Sequence, residues 1–257
     1  MENAGNSIEV RGLSKSFRLP HQQRTTVKEY FLHPLSRSTY EVQRALDDVS
    51  FSVCRGGFFG IIGANGSGKS TLLKIIAQIY RQNSGTVEVD GLLSPFIELG
   101  VGFNPELTAR DNIRINSALL GLTRRELDER FDSIVEFSEL QRFIDQKLKN
   151  FSSGMQIRLA YSIAIQVDFD ILLLDEVLAV GDEHFQEKCF ATFDEIRAAG
   201  KTVVFVSHDL DSVSRFCDRT LYLRAGRQQR IGETGEVIDL YRKQEVEAPG
   251  PTIAVTG

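Results

Sequence analysis

Short apolar runs punctuate the chain at Ser50–Val53, Phe58–Ile62, Thr86–Val89, Ile171–Leu174, Thr202–Val206 and Leu221–Leu223. Their length and their polar or glycine-containing flanks predict strands. Phe58–Ile62 and Ile171–Leu174 are apolar throughout, the pattern of strands covered on both faces. Several of these runs alternate with helix-like segments, so the pattern predicts an α/β fold with a mainly parallel sheet. Between Pro105 and Val167 the period becomes that of successive helices. Thr123 followed by Glu126 reads as a capping box, and Leu127, Phe131, Ile134 and Val135 follow at helical spacing. A second helix is predicted from Ser153 to Val167, and a last one from Glu233 to Gln244. The pattern therefore divides a single domain, 1–257, into a core (1–104 and 168–244) and an inserted helical lobe (105–167). Residues 245–257 contain two prolines and no periodicity, which predicts a loose tail.

With 42% hydrophobic and 25% charged residues, the chain has enough apolar material to bury a core, which excludes disorder. No window approaches the ~18 uninterrupted apolar residues of a membrane-spanning helix. The longest candidate, Ile171 to Val180, is broken by Asp175 and Glu176. Met1–Gly5 has neither the basic nor the apolar region of a secretory leader. Cys54, Cys189 and Cys217 lie far apart and read as reduced thiols of a cytosolic protein. The net charge of −5 hides an asymmetry, because residues 11–44 carry seven basic side chains against Glu29 and Glu41. An acidic body argues against a nucleic-acid binder, whereas the basic stretch is either a local face for phosphate or anionic lipid, or a solvated loop.

The chemistry concentrates in three places. Gly63-Ala64-Asn65-Gly66-Ser67-Gly68-Lys69-Ser70 fits G-x-x-x-x-G-K-[ST], with a strand before it and a helix from Thr71 after it. Glycines let backbone N–H groups converge on phosphate oxygens, Lys69 reaches the β/γ-phosphates, and the Ser70 hydroxyl ligates Mg²⁺. The competing reading is a glycine-rich turn that binds nothing. The strand Ile171–Leu174 ends in Asp175 and Glu176, where ligands of parallel sheets sit. There Asp175 can hold Mg²⁺ through water, and Glu176 can take a proton from the attacking water. His208 repeats the placement after Val206 and suits a γ-phosphate contact. Asn150–Ala160 opens a helix with small residues, a second anion site or merely a good cap.

Phosphate loop, helical lobe, acidic strand and histidine, in that order, resemble the ATP-binding cassette ATPases over roughly residues 7–243. The resemblance implies a P-loop NTPase core with a mixed sheet and an antiparallel β subdomain, and ATP and Mg²⁺ as cofactors. Ser152-Ser153-Gly154-Met155-Gln156 takes the place of the Leu-Ser-Gly-Gly-Gln signature, departing from it at two positions. By this likeness Ser152, Ser153 and Gly154 touch the γ-phosphate bound by a second cassette. Asp182 matches the D-loop aspartate, and Phe17 the aromatic that stacks on adenine. The family usually carries a metal-sensing glutamine between core and lobe; Phe96–Thr108 has none, and Glu98 is the nearest replacement.

The Glu98–Thr108 stretch, the Ser-Ser-Gly-Met signature and Asp175–Asp182 look like the polysaccharide-export branch, including O-antigen and teichoic-acid exporters. That branch also carries an N-terminal insertion, here the basic residues 18–48 with a short amphipathic helix candidate at Val27–Leu32. The resemblance implies a homodimer enclosing two ATP molecules at the cytoplasmic face of the membrane, a separate polytopic membrane subunit, and a lipid-linked glycan substrate. Alternatives are a cassette ATPase for another substrate and a soluble one acting on ribosomes or DNA. The latter usually carries two cassettes or long coiled coils. A small-molecule P-loop kinase would need neither signature nor histidine.

Overall fold

The apolar runs form two sheets in the computed structural model, which describes residues 5–20, 40–96, 102–175 and 183–247. The larger sheet contains β3 (Phe58–Ile62), β5 (Leu93–Phe96), β6 (Ile171–Asp175), β7 (Thr202–Val206), β8 (Arg219–Arg224) and β9 (Arg227–Glu233). Its order is β5-β6-β7-β3-β8-β9, and only the β8–β9 hairpin is antiparallel. Strands β3 and β7 are buried at every position, and β6 everywhere but Asp175. That is why they show no polar alternation. The smaller sheet, order β2-β1-β4, is antiparallel: β1 (Asn6–Pro20), β2 (Tyr40–Cys54) and β4 (Ser84–Val89).

Three apolar clusters hold these elements together. The small sheet and α1 (Lys69–Ile76) cover one face of the large sheet, with Ile8, Leu46 and Leu73 meeting Ile61 and Val204. The opposite face takes α5 (Glu183–Ala198), α6 (Leu210–Phe216) and α7 (Thr234–Glu247), through Phe193, Phe216 and Val237. The helical lobe packs α2 (Ala109–Leu119), α3 (Arg124–Ser138) and α4 (Ser153–Ala164) around Ile113, Ile134 and Leu159. Helix α4 serves both: Ile157, Ala160, Tyr161 and Ala164 join the sheet's core, while Leu159 and Ile163 join the lobe's. The capping box of α3 is formed, Thr123 accepting from the Glu126 amide and Glu126 accepting from the Thr123 amide at 2.8 Å.

The structure redraws two boundaries. Residues 18–20 belong to β1 and residues 40–48 to β2, the two strands paired with each other, so neither stretch is part of an insertion. The apolar period had hidden this. Leu13 faces Val49 while Lys15 faces Leu46, so Asp47 and Asp48 of β2 oppose Ser14 alone, and Asp48 bulges out at φ 54°. The alternation slips phase there, and the strand's first half looks like loop. Helix α7 runs on to Glu247, taking in the first residues of the expected tail. The candidate helix Val27–Leu32 and the basic residues Arg24, Lys28 and Arg37 lie outside the described residues.

Candidate functional site

The phosphate loop leaves β3 at Ile62 and enters α1 at Lys69. Two of its glycines are forced by close approach. A Cβ on Gly63 would lie 2.2 Å from the Leu223 carbonyl oxygen, and one on Gly68, which has φ 108°, 2.6 Å from that of Ala45. The loop is thus wedged between β8 and β2. Backbone bonds tie it there: the Asp47 amide donates to Gly226 at 2.8 Å, and the Gly226 amide donates to Ser67 at 2.9 Å. Lys69 is buried and its Nζ donates to the carbonyls of Gly63 at 2.6 Å and Ala64 at 3.0 Å. Helix α1 has no side-chain cap and no acid in its first turn. Its N-terminal amides and its dipole therefore favour an anion.

The loop opens on a cleft of about 560 Å³. Asn65, Gly66, Gly68, Lys69, Ser70 and Thr71 line it together with Asp175, at the end of β6. Phe17 lines the outer end, edge-on to Tyr80 at 5.6 Å between centroids, with Lys15 Nζ 5.0 Å from its own ring centre. Of the remaining loop residues, Gly63 and Ser67 are buried and Ala64 is exposed; none of the three lines the cleft.

The other expected residues are spread more widely. His208 is exposed, two residues beyond β7, and is not part of the cleft lining. Ser152 caps α4 by accepting from the Met155 amide at 3.2 Å. Ser152 and Ser153 are exposed and Gly154 half-buried, and none of the three lines this chain's own cleft. Glu98, Glu176 and Asp182 lie outside the described residues.

Three cleft residues escaped the sequence reading: Gln43, Arg44 and Ala45. They arrive because Gln43 pairs with Phe17 and Arg44 with Ser16 across the β1–β2 ladder. Arg44 Nη1 lies 3.1 Å from Asp47 Oδ1, and Arg227 Nε donates to Asp47 Oδ2 at 2.8 Å. The Arg227 hydrogen bond, helped by Arg44 and opposed by burial, holds the Asp47 carboxyl below the usual range. The only hint in the sequence was charge, Arg44 closing the basic stretch.

The cleft's oxygen donors, the Ser70 hydroxyl and the Asp175 carboxylate, are of the hard type that Mg²⁺ takes. Among the described residues no three His, Cys, Asp or Glu side chains gather as a metal cage. The donor set therefore fits a magnesium ion that keeps most of its shell for phosphate and water.

Known proteins carry the same plan. The ABC transporter family model matches residues 46–179. The chain is 40% identical over 241 residues to the O-antigen export system ATP-binding protein RfbB of Klebsiella pneumoniae, covering 92% of this chain and 97% of that one. It is 41% identical over 236 residues to the teichoic acids export ATP-binding protein TagH of Levilactobacillus brevis, covering 92% and 64%. Among solved structures, the dimeric post-hydrolysis state of the ATP-binding cassette MJ0796 bound to ADP and Pi has the same fold. Its TM-score is 0.72 at 24% identity, over 88% of this chain and 98% of that one. The chain belongs to the ABC transporter family of ATP-binding ATPases.

Proposed function

We propose that the protein is the ATP-hydrolysing subunit of an exporter that moves a polysaccharide, carried on polyprenyl pyrophosphate, across the cytoplasmic membrane. Two copies close on two ATP molecules at the membrane's cytoplasmic face, and a separate polytopic subunit provides the passage. The observation that carries this reading is the single cleft shared by an aromatic ring, an anion-binding loop and the end of an acidic strand. The cargo class follows from relatives named for O-antigen and teichoic-acid export. Among the described residues no helix is long and apolar enough to cross a membrane, which fits a separate membrane subunit.

In this reading Phe17 stacks on adenine, and Gly63 to Thr71 hold the phosphates. Lys69 exchanges the Gly63 and Ala64 carbonyls for β/γ-phosphate oxygens. Ser70, Asp175 and Glu98 would hold Mg²⁺, which neutralises charge on those oxygens. Glu176 takes the proton of the attacking water, and His208 contacts the γ-phosphate. Ser152, Ser153 and Gly154 of the second copy complete the site, with Asp182 at the junction of the two copies. The test is Glu176→Gln in the full chain. ATP should still bind and a closed dimer accumulate, while turnover falls by about 10²-fold or more. Hydrolysis near the wild-type rate would remove Glu176 as the base, and with it this account of the site. Co-purification of a polytopic membrane protein checks the exporter assignment.

A further inference from the structure

Away from the cleft, one carboxylate at the end of a helix gathers side chains from two others. Glu139 ends α3 in the left-handed conformation, φ 60° and ψ 26°. Glycine or asparagine would hold that turn with less strain, so what glutamate adds is its carboxylate. Oε2 accepts from Arg158 Nη1 of α4 at 3.0 Å. Oε1 accepts from Lys188 Nζ of α5 at 3.0 Å and lies 3.3 Å from His184 Nδ1, also of α5. Lys188 donates besides to the Phe137 carbonyl at 2.9 Å.

The floor beneath is aromatic. Phe137, Tyr161 and Phe185 form a triangle with centroids 5.8 to 6.3 Å apart. Arg158 lies 4.8 Å over Phe185, and Lys188 4.7 Å over Phe137. An isolated surface ion pair contributes little. Here the Arg158 side chain is only 15% exposed and Glu139 32%, so removing the carboxylate takes a half-buried anion away from cations held over an apolar floor.

The position of this knot matters. Arg158 lies six residues after Ser152, the cap of the signature turn, and α5 begins eight residues after Asp175. We infer that Glu139 is a positioning residue that locks the signature helix α4 to α5, the helix following the acidic strand, so that signature turn and strand end move as one body. This rests on the two-copy reading above, in which the signature turn of a chain serves one nucleotide and its acidic strand the other. Glu139 then links the two nucleotide sites of the pair, and cooperativity in ATP is the output.

The experiment is the ATP dependence of hydrolysis by the full chain, with nucleotide affinity, thermal melting and ATP-dependent dimerisation recorded alongside. In Glu139→Ala, kcat should fall about tenfold and the Hill coefficient drop toward 1, while nucleotide affinity stays within about twofold. Glu139→Gln, which keeps the shape and one acceptor, should lie between. A purely structural residue would lower the melting temperature without altering cooperativity. Should Glu139→Ala fail to fold, Lys188→Met removes a single leg and should change kcat and cooperativity in the same direction. Wild-type kcat and cooperativity in whichever variant folds, with the wild-type chain dimerising on ATP, overturns this inference alone. A wild-type chain that neither dimerises nor responds cooperatively overturns the two-copy reading and this inference with it.

Discussion

A methyl group at Gly68 has nowhere to go. It would lie 2.6 Å from the Ala45 carbonyl oxygen and 2.9 Å from Leu46 Cδ2, at a φ of 108° that L residues avoid. Gly68→Ala should therefore cost about 1–3 kcal/mol in urea unfolding, and should weaken nucleotide binding by pushing the loop off β2. Undiminished stability would mean that the loop and β2 are less tightly wedged. At this scale the phosphate loop could be read as a motif, because its fixed positions all lie within Gly63–Ser70. Gln43, Arg44 and Ala45 were not. They reach the cleft only through pairing with β1, across more than twenty residues of sequence and a bulge at Asp48.

Elements were legible where their rules are local. Thr123 and Glu126 announce the start of α3, and the apolar runs announce β3, β6 and β7. What stayed hidden is that α4 belongs to two cores at once and is pinned to α3 and α5 by Glu139, since tertiary contacts leave no period in the sequence. That pin has a pH signature. Burial pushes the Glu139 carboxyl up, but Lys188, His184 and Arg158 outweigh it and hold it below its ordinary 4.5. The charged carboxylate thus stabilises the fold fully above pH 4.5, and this contribution disappears as pH falls through the lower folded value. The stability gap between wild type and Glu139→Gln, followed by chemical unfolding, should be open at neutrality and close as pH falls below 4.5. A gap that stays fully open well below pH 4.5 would contradict the assignment.

For the whole molecule, the decisive fact is one of placement. The signature turn at Ser152–Gly154 does not line the cleft of its own chain. If a second copy supplies it, Lys69→Ala and Gly154→Asp should each be inactive alone, while mixing the two chains leaves one intact composite site per mixed dimer. The mixture should then regain part of the wild-type rate. Activity of either variant by itself would argue for a site complete within one chain.

The pairing of Pro20 with Tyr40 closes the β1–β2 ladder three residues beyond Phe17. Strands β1 and β2 therefore end side by side at that point. The ladder itself fixes the separation of Phe17 and Gln43, whatever length of chain joins the two strand ends, since doubling a connection costs only about 0.6 kcal/mol. The cleft is thereby insulated from changes in the length of chain that links the two strand ends, because its edge is held by the ladder and not by that link.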